Sequence, residues 1–142
     1  MTRDDENLLR RAIELAAEAR VGGNPPFGSL LAGPDGTILA EERNTSLTDR
    51  DITAHPELKL ARWAARELEP ATAAATTMYT SCQPCGMCAG AIARSGLGRV
   101  VYALSGEQLG ALKPPGSAFA DPPAEGPALY AEARVPVEGY YH

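Results

Sequence analysis

The sequence predicts an α/β domain of packed layers around one mixed sheet. Helix-period and strand-period stretches alternate along the chain, and the links between them are short. At 142 residues the chain is long enough to bury roughly two thirds of the surface its unfolded form exposes. Stability therefore need not come from a metal. Hydrophobic residues at 44% with charged residues at 22% describe a globular chain, not a disordered one. No apolar run approaches the roughly 20 residues of a membrane span, and the start, Met1-Thr2-Arg3-Asp4-Asp5-Glu6, is too polar for a signal peptide. These features place the protein in the cytoplasm as one domain, residues 1–142.

Leu8, Leu9, Ala12, Ile13, Ala16 and Ala17 recur at helical spacing behind three acidic residues that suit a helix N-terminus, so a first helix is expected over roughly residues 4 to 20. Gly22-Gly23-Asn24-Pro25-Pro26 ends it. Phe27 to Ala32, the turn Gly33-Pro34-Asp35-Gly36 and Thr37 to Glu42 read as a hairpin. A polar loop delivers the chain to His55, where a second helix starts and runs to about Leu68. Its expected inner stripe is Leu58, Ala61, Ala65 and Leu68, widened by Leu60, Trp63 and Ala64. After a short Pro/Ala/Thr connection come a strand from about Thr76 to Thr80, a helix ending near Ser95-Gly96, and a strand from Arg99 to Leu104. Ser105 to Pro127 holds five prolines and four glycines and reads as an irregular surface loop. Ala128 to Val137 alternates like an edge strand, and Tyr140-Tyr141-His142 reads as a frayed tail.

The chemistry gathers at Ser81-Cys82-Gln83-Pro84-Cys85-Gly86-Met87-Cys88. All three cysteines of the chain fall within seven residues, which suits a reducing compartment and a metal or redox role better than a disulfide framework. Cys85 and Cys88 are three apart, so at a helix start their sulfurs share one face. Pro84 suits the first helical position, and the positive helix end is expected to lower the thiol pKa values. Upstream, His55-Pro56-Glu57 supplies an imidazole and a carboxylate at another proline-marked helix start. Zinc fits one imidazole with two thiolates, and three protein ligands leave a fourth position for water whose pKa falls to about 7. Glu57 need not coordinate. Its carboxylate can take the water's proton and pass it to a leaving nitrogen. The implied reaction is hydrolytic deamination: water adds to an aromatic carbon bearing an exocyclic amine, and ammonia leaves a carbonyl behind.

With His55-Pro56-Glu57 and Pro84-Cys85-Gly86-Met87-Cys88 in place, the chain resembles the zinc-dependent cytidine deaminase superfamily, whose signature is H-x-E followed by P-C-x-x-C. The likeness extends through Asn24-Pro25-Pro26-Phe27-Gly28, Asn44, Asp51-Ile52-Thr53-Ala54-His55 and Cys88-Ala89-Gly90-Ala91-Ile92, covering roughly residues 5 to 104. Among branches it resembles the guanine deaminases and the tRNA adenosine deaminases, with Thr80-Ser81-Cys82 leaning toward the former. The resemblance implies a five-stranded sheet sandwiched by helices, and a homodimer or larger homo-oligomer in which a neighbour completes the pocket. It puts Phe27 against the base and gives Asn44 a hydrogen bond to substrate. Pro56, Ser81, Cys82 and Gln83 become further candidates for the pocket wall. Two positions depart from the pattern. Relatives carry a backbone N–H between histidine and glutamate that they aim at the substrate ring, and Pro56 has none. Where relatives usually carry glutamate, Gln83 can donate as well as accept.

Competing readings explain less. Cys82-Gln83-Pro84-Cys85 alone would pass as a redox dithiol, but it leaves His55-Pro56-Glu57 unexplained. An iron–sulfur cluster lacks its fourth cysteine. A free nucleobase or related small heterocycle, guanine- or cytosine-like, is the expected substrate. A tRNA substrate would need electrostatic capture of an RNA loop, against which stand a net charge of −5 and only two lysines. No basic helix such as RNA-acting relatives carry follows Val135. The remaining alternative is a zinc-binding homologue without turnover.

Overall fold

The computed structural model describes residues 1–141, so His142 of the expected tail lies outside them. The elements in order are α1 (Arg3–Val21), β1 (Gly28–Ala32), β2 (Ile38–Arg43), α2 (Pro56–Glu67), α3 (Pro70–Ala74), β3 (Thr77–Cys82), α4 (Gly86–Ser95), β4 (Arg99–Leu104), α5 (Gly106–Leu112) and α6 (Tyr130–Ala133). The sheet runs β2-β1-β3-β4. β1 is antiparallel to both β2 and β3, and β3 is parallel to β4, so the sheet is mixed as expected.

Side-chain alternation along the two inner strands builds the layers. Leu30 and Ala32 of β1, with Tyr79 and Val101, pack against Leu9 of α1. The residues between them turn to the other face, where Leu31 and Met78 meet Leu60 and Ala64 of α2, with Ile92 of α4 alongside. Every residue of β1 is buried, the signature of a strand covered on both sides. The stripe of α1 is rotated from the expected one. Leu15 and Ala19 are inside, and Ile13 is exposed. On α2 the buried face is Glu57, Leu60, Ala61 and Ala64, while Ala65 points outward. Burying a carboxylate in place of an alanine is the first sign that this face serves more than packing.

Two glycines are set by close approach. A Cβ on Gly28 would stand 2.5 Å from Ala16 N and Leu15 Cβ, and one on Gly98 would stand 1.9 Å from Ala74 O. Gly28 thus lets α1 lie directly on the start of β1.

Asp5 ties α1 to the sheet. Its carboxylate accepts from Thr2 N at 2.9 Å, Tyr79 Oη at 2.6 Å and Arg99 Nη2 at 2.9 Å. The Arg99 guanidinium, helped by the Thr2 amide and the Tyr79 hydroxyl, holds this carboxyl far below the usual carboxylate range. A depressed folded-state pKa contributes stability that is present above the unfolded value, about 4, and is lost as pH falls through the folded value. Asp5→Asn is therefore expected to lower Tm at pH 7 by several degrees and to flatten the loss of Tm between about pH 5 and 2. Parallel Tm–pH curves for the two proteins would show that Asp5 is not the linked group.

Four expectations are corrected. The sheet has four strands among the described residues, not five. The stretch expected as an edge strand instead holds the short helix α6 and turns. Leu129 enters it at φ 59°, outside the extended region, and Arg134 pairs with Glu138 one turn on and lies over the Tyr130 ring, contacts that need helical spacing. The loop after β4 opens with a seven-residue helix, α5, capped by Ser105 and Gln108 in a reciprocal capping box. The connection after α2 likewise winds into α3. Among the described residues no helix is long and apolar enough to cross a membrane.

Candidate metal centre and active site

The N-termini of α2 and α4 supply the site. His55 is the N-cap of α2, with extended φ and ψ of −81° and 142°, and Pro56 takes the first helical position. The loop before it is braced: Asp51 Oδ1 accepts from Thr53 N at 2.8 Å and Thr53 Oγ1 at 2.6 Å, and Thr45 N donates to Ala54 O. On the other side Cys85 is the N-cap of α4 and Cys88 lies in its first turn. Pro84 therefore precedes the helix and does not open it. The N-cap position leaves Cys85 exposed while Cys88 is buried beneath it.

His55 Nδ1 stands 3.7 Å from Cys85 Sγ and 3.4 Å from Cys88 Sγ. The three donor atoms lie within 4.8 Å of one another. Zinc–sulfur and zinc–nitrogen bonds of about 2.3 and 2.05 Å at a tetrahedral angle would separate nitrogen from sulfur by about 3.6 Å. The observed spacings bracket that value, so the residues fit zinc, and zinc is the metal this donor set selects. Which imidazole nitrogen faces the sulfurs is a fact of the structure alone. Burial lowers the His55 pKa and favours the neutral imidazole that a metal needs. The thiol expectation is corrected: burial, with the nearby charges of Glu57 and Cys85, pushes Cys88 well up despite its helix N-terminus. Desolvation outweighs the helix dipole here, and a divalent cation is the charge that reverses the balance.

Glu57, on the first turn of α2, is 6% exposed. Its pKa is raised, chiefly by burial and against the opposing hydrogen bonds. Its Oε1 accepts from Ser29 Oγ at 3.2 Å, and Ser29 Oγ lies 2.7 Å from Thr80 Oγ1. Neither hydroxyl was singled out from sequence. Ser29 had a signal, as the one hydroxyl residue in an otherwise apolar strand stretch, whereas Thr80 stood among other hydroxyl residues of β3, Thr77 and Ser81, and had none.

The other candidates divide by what already engages them. Asn44 is 2% exposed, and its Oδ1 accepts from Ser46 N and Ser46 Oγ, both at 2.8 Å. No described hydrogen bond engages its Nδ2. Ser81 Oγ accepts from Gly28 N at 3.1 Å and so ties β3 to the start of β1. Gln83 is exposed and its Oε1 accepts from Gly106 N at 2.9 Å, fastening the approach to Pro84 onto the start of α5. A glutamate could accept that bond equally. Cys82 is a buried thiol raised first by burial and then by the Glu57 charge, and it stands apart from the three clustered donors. Phe27 is half-buried, with its carbonyl accepting from Asn44 N. Pro56 is fully buried. Lys59, close to the site in sequence, is held by Glu42 and Thr45 at 3.0 Å each.

Residues 2–104 match the family described as cytidine and deoxycytidylate deaminase zinc-binding region. The chain is 43% identical over 90 residues to a guanine deaminase of Bacillus subtilis, a match covering 61% of this chain and 56% of that protein. It is 36% identical over 108 residues to a tRNA-specific adenosine deaminase of Haemophilus influenzae, covering 76% of this chain and 62% of that protein. Under two thirds of the length of each of these relatives is thus matched. The crystal structure of the Bacillus subtilis guanine deaminase superposes with a TM-score of 0.76 at 30% identity, covering 99% of this chain and 94% of that one. Fold, zinc-fitting donor set and matched region agree, and the chain belongs to the cytidine and deoxycytidylate deaminase zinc-binding family.

Proposed function

We propose that this protein is a hydrolytic deaminase of a free nucleobase or related small aminated heterocycle, releasing ammonia. The observation that carries the reading is a buried carboxylate, Glu57, held on the same helix turn as His55 and beside a three-donor zinc site. Zinc held by His55, Cys85 and Cys88 would supply a water acidified to about pKa 7 in its fourth position. Glu57 accepts that water's proton and returns it to the departing nitrogen. Its burial suits the role, because a carboxyl raised by desolvation holds a proton more firmly than an exposed one and can carry it between water and leaving group. Neutral His55 holds its place without adding charge. Asn44, with Oδ1 committed to Ser46, offers its amide N–H to an acceptor on the ring. Phe27 gives the base an apolar wall. Pro56 offers no N–H, so a substrate here must do without a donor at that point.

The chain's match to a tRNA adenosine deaminase supports a second reading, deamination of adenosine in an RNA loop. Charge weighs against it: the net charge is −5, and Lys59 is already paired within the chain. Assembly into a homo-oligomer and a cytoplasmic location belong to the same proposal.

Ammonia release from zinc-loaded protein is the test, measured against guanine, cytosine, adenine, isoguanine, aminated triazines, their nucleosides and a tRNA anticodon stem-loop. Turnover of at least one free base is expected. Activity on the stem-loop alone, weakening steeply with salt, would transfer the assignment to RNA. No turnover on any of them, with zinc bound, would favour a silent zinc-binding homologue.

A further inference from the structure

We infer that Ser29, backed by Thr80, is a positioning residue for the Glu57 carboxyl. The inference rests on the proton-transfer role proposed for Glu57. Ser29 and Thr80 are direct partners in the β1–β3 ladder, and alternation turns both toward the α2 side of the sheet, in step with Leu31 and Met78. Both are fully buried at 0% exposure, as the central strands require. A hydroxyl there must find a partner or lose its water for nothing. The partner is Glu57 Oε1, 3.2 Å from Ser29 Oγ.

Ser29 has one proton and two oxygens to face: Glu57 Oε1 and Thr80 Oγ1, the latter 2.7 Å away. When Ser29 donates to Oε1, the proton between the two hydroxyls is Thr80's. The chain then runs from Thr80 through Ser29 to the carboxylate. Thr80 thereby sets the direction of the Ser29 proton, and its branched Cβ limits its own rotation. With a proton fixed against Oε1, the terminal torsion of Glu57, otherwise broad, is pinned. Oε2 becomes the oxygen left to exchange protons. A side chain that must take a proton at one place and deliver it at another gains most from such a fixed carboxyl.

The test uses full-length protein and the best substrate of the ammonia assay. Ser29→Ala is expected to lower kcat about 10- to 100-fold, as loss of a hydrogen bond to a charged group does. KM should stay within about twofold and zinc content should not change, a split that a loosened core would not give. Thr80→Val, of equal volume without the hydroxyl, is expected to lower kcat about 3- to 10-fold, and Thr80→Ser, which keeps it, to restore nearly all of it. A readout independent of turnover is Tm of the chelated protein: Ser29→Ala should lower it by several degrees in wild type and far less in Glu57→Ala, where the acceptor is gone. Full kcat in Ser29→Ala beside an inactive Glu57→Ala overturns this inference alone, as do Tm effects that simply add. Undiminished turnover by Glu57→Ala overturns the proton-transfer reading and this inference with it. Should Ser29→Ala fail to fold, equal kcat in Thr80→Val and Thr80→Ser would refute the chain.

Discussion

Glu57→Ala is expected to lose about 10³- to 10⁴-fold in ammonia release while keeping close to one zinc per chain, since general acid–base catalysis contributes up to about that factor. The residue can be removed without breaking the donor set, because the three clustered donors are His55, Cys85 and Cys88. Its side chain is buried and bonded to Ser29, so truncation leaves a small cavity. Tm should fall modestly, or rise, because a buried carboxyl raised in pKa is itself a cost. Metal analysis and single-turnover kinetics on the same preparation decide the matter. Loss of zinc along with activity would make Glu57 a ligand, and the proposed proton path would be wrong.

Cys85→Ser is expected to weaken zinc binding more than about a hundredfold, since changes in mere supporting residues already cost 10- to 100-fold. Activity should disappear with the metal and return only in part at high zinc. Because Cys85 is exposed, the substitution leaves the packed layers alone. The fold should survive: neither apolar cluster, one around Leu30 and one around Leu31, includes a donor residue. Chelation of wild type should act in the same way, abolishing turnover and lowering Tm only by the linkage of zinc to the folded state. Cys82→Ser, changed three residues upstream, should keep its zinc, because Cys82 lies outside the donor cluster. Full zinc in Cys85→Ser, or its loss in Cys82→Ser, would mean the site is built from other sulfurs.

How much was legible from sequence depends on how local the cause is. The helix starts at His55-Pro56 and Pro84-Cys85 could be placed within a residue or so, because proline and N-cap preferences act through nearest neighbours. The donor cluster was legible in its two halves, because the Cys85–Cys88 spacing is a constraint within one helix turn and His55 stands at a second proline-marked helix start. The α5 helix was missed although its capping box, Ser105 with Gln108, was in plain view, because the many prolines and glycines downstream dominated the reading of that stretch. The expected edge strand failed for the opposite reason. Alternation is only half of a strand, which also needs a neighbour to pair with, and Arg134 and Glu138 found each other across the turns that follow α6 instead.

The amino-acid order by itself determined the layered α/β class, the family signature and the three candidate metal donors that the structure brings together, since these follow from periodicity and from chemistry that few residue types can supply. Only the tertiary structure decided that His55 presents Nδ1, that Gln83 and Ser81 are engaged in holding strand and helix ends together, and that Ser29 and Thr80 reach Glu57. Each of these pairs, Ser29 with Glu57 or Gly28 with Ser81, spans tens of residues of chain. Contacts at that separation depend on strand register and on which face a residue is turned to, and a one-residue slip would reverse them all.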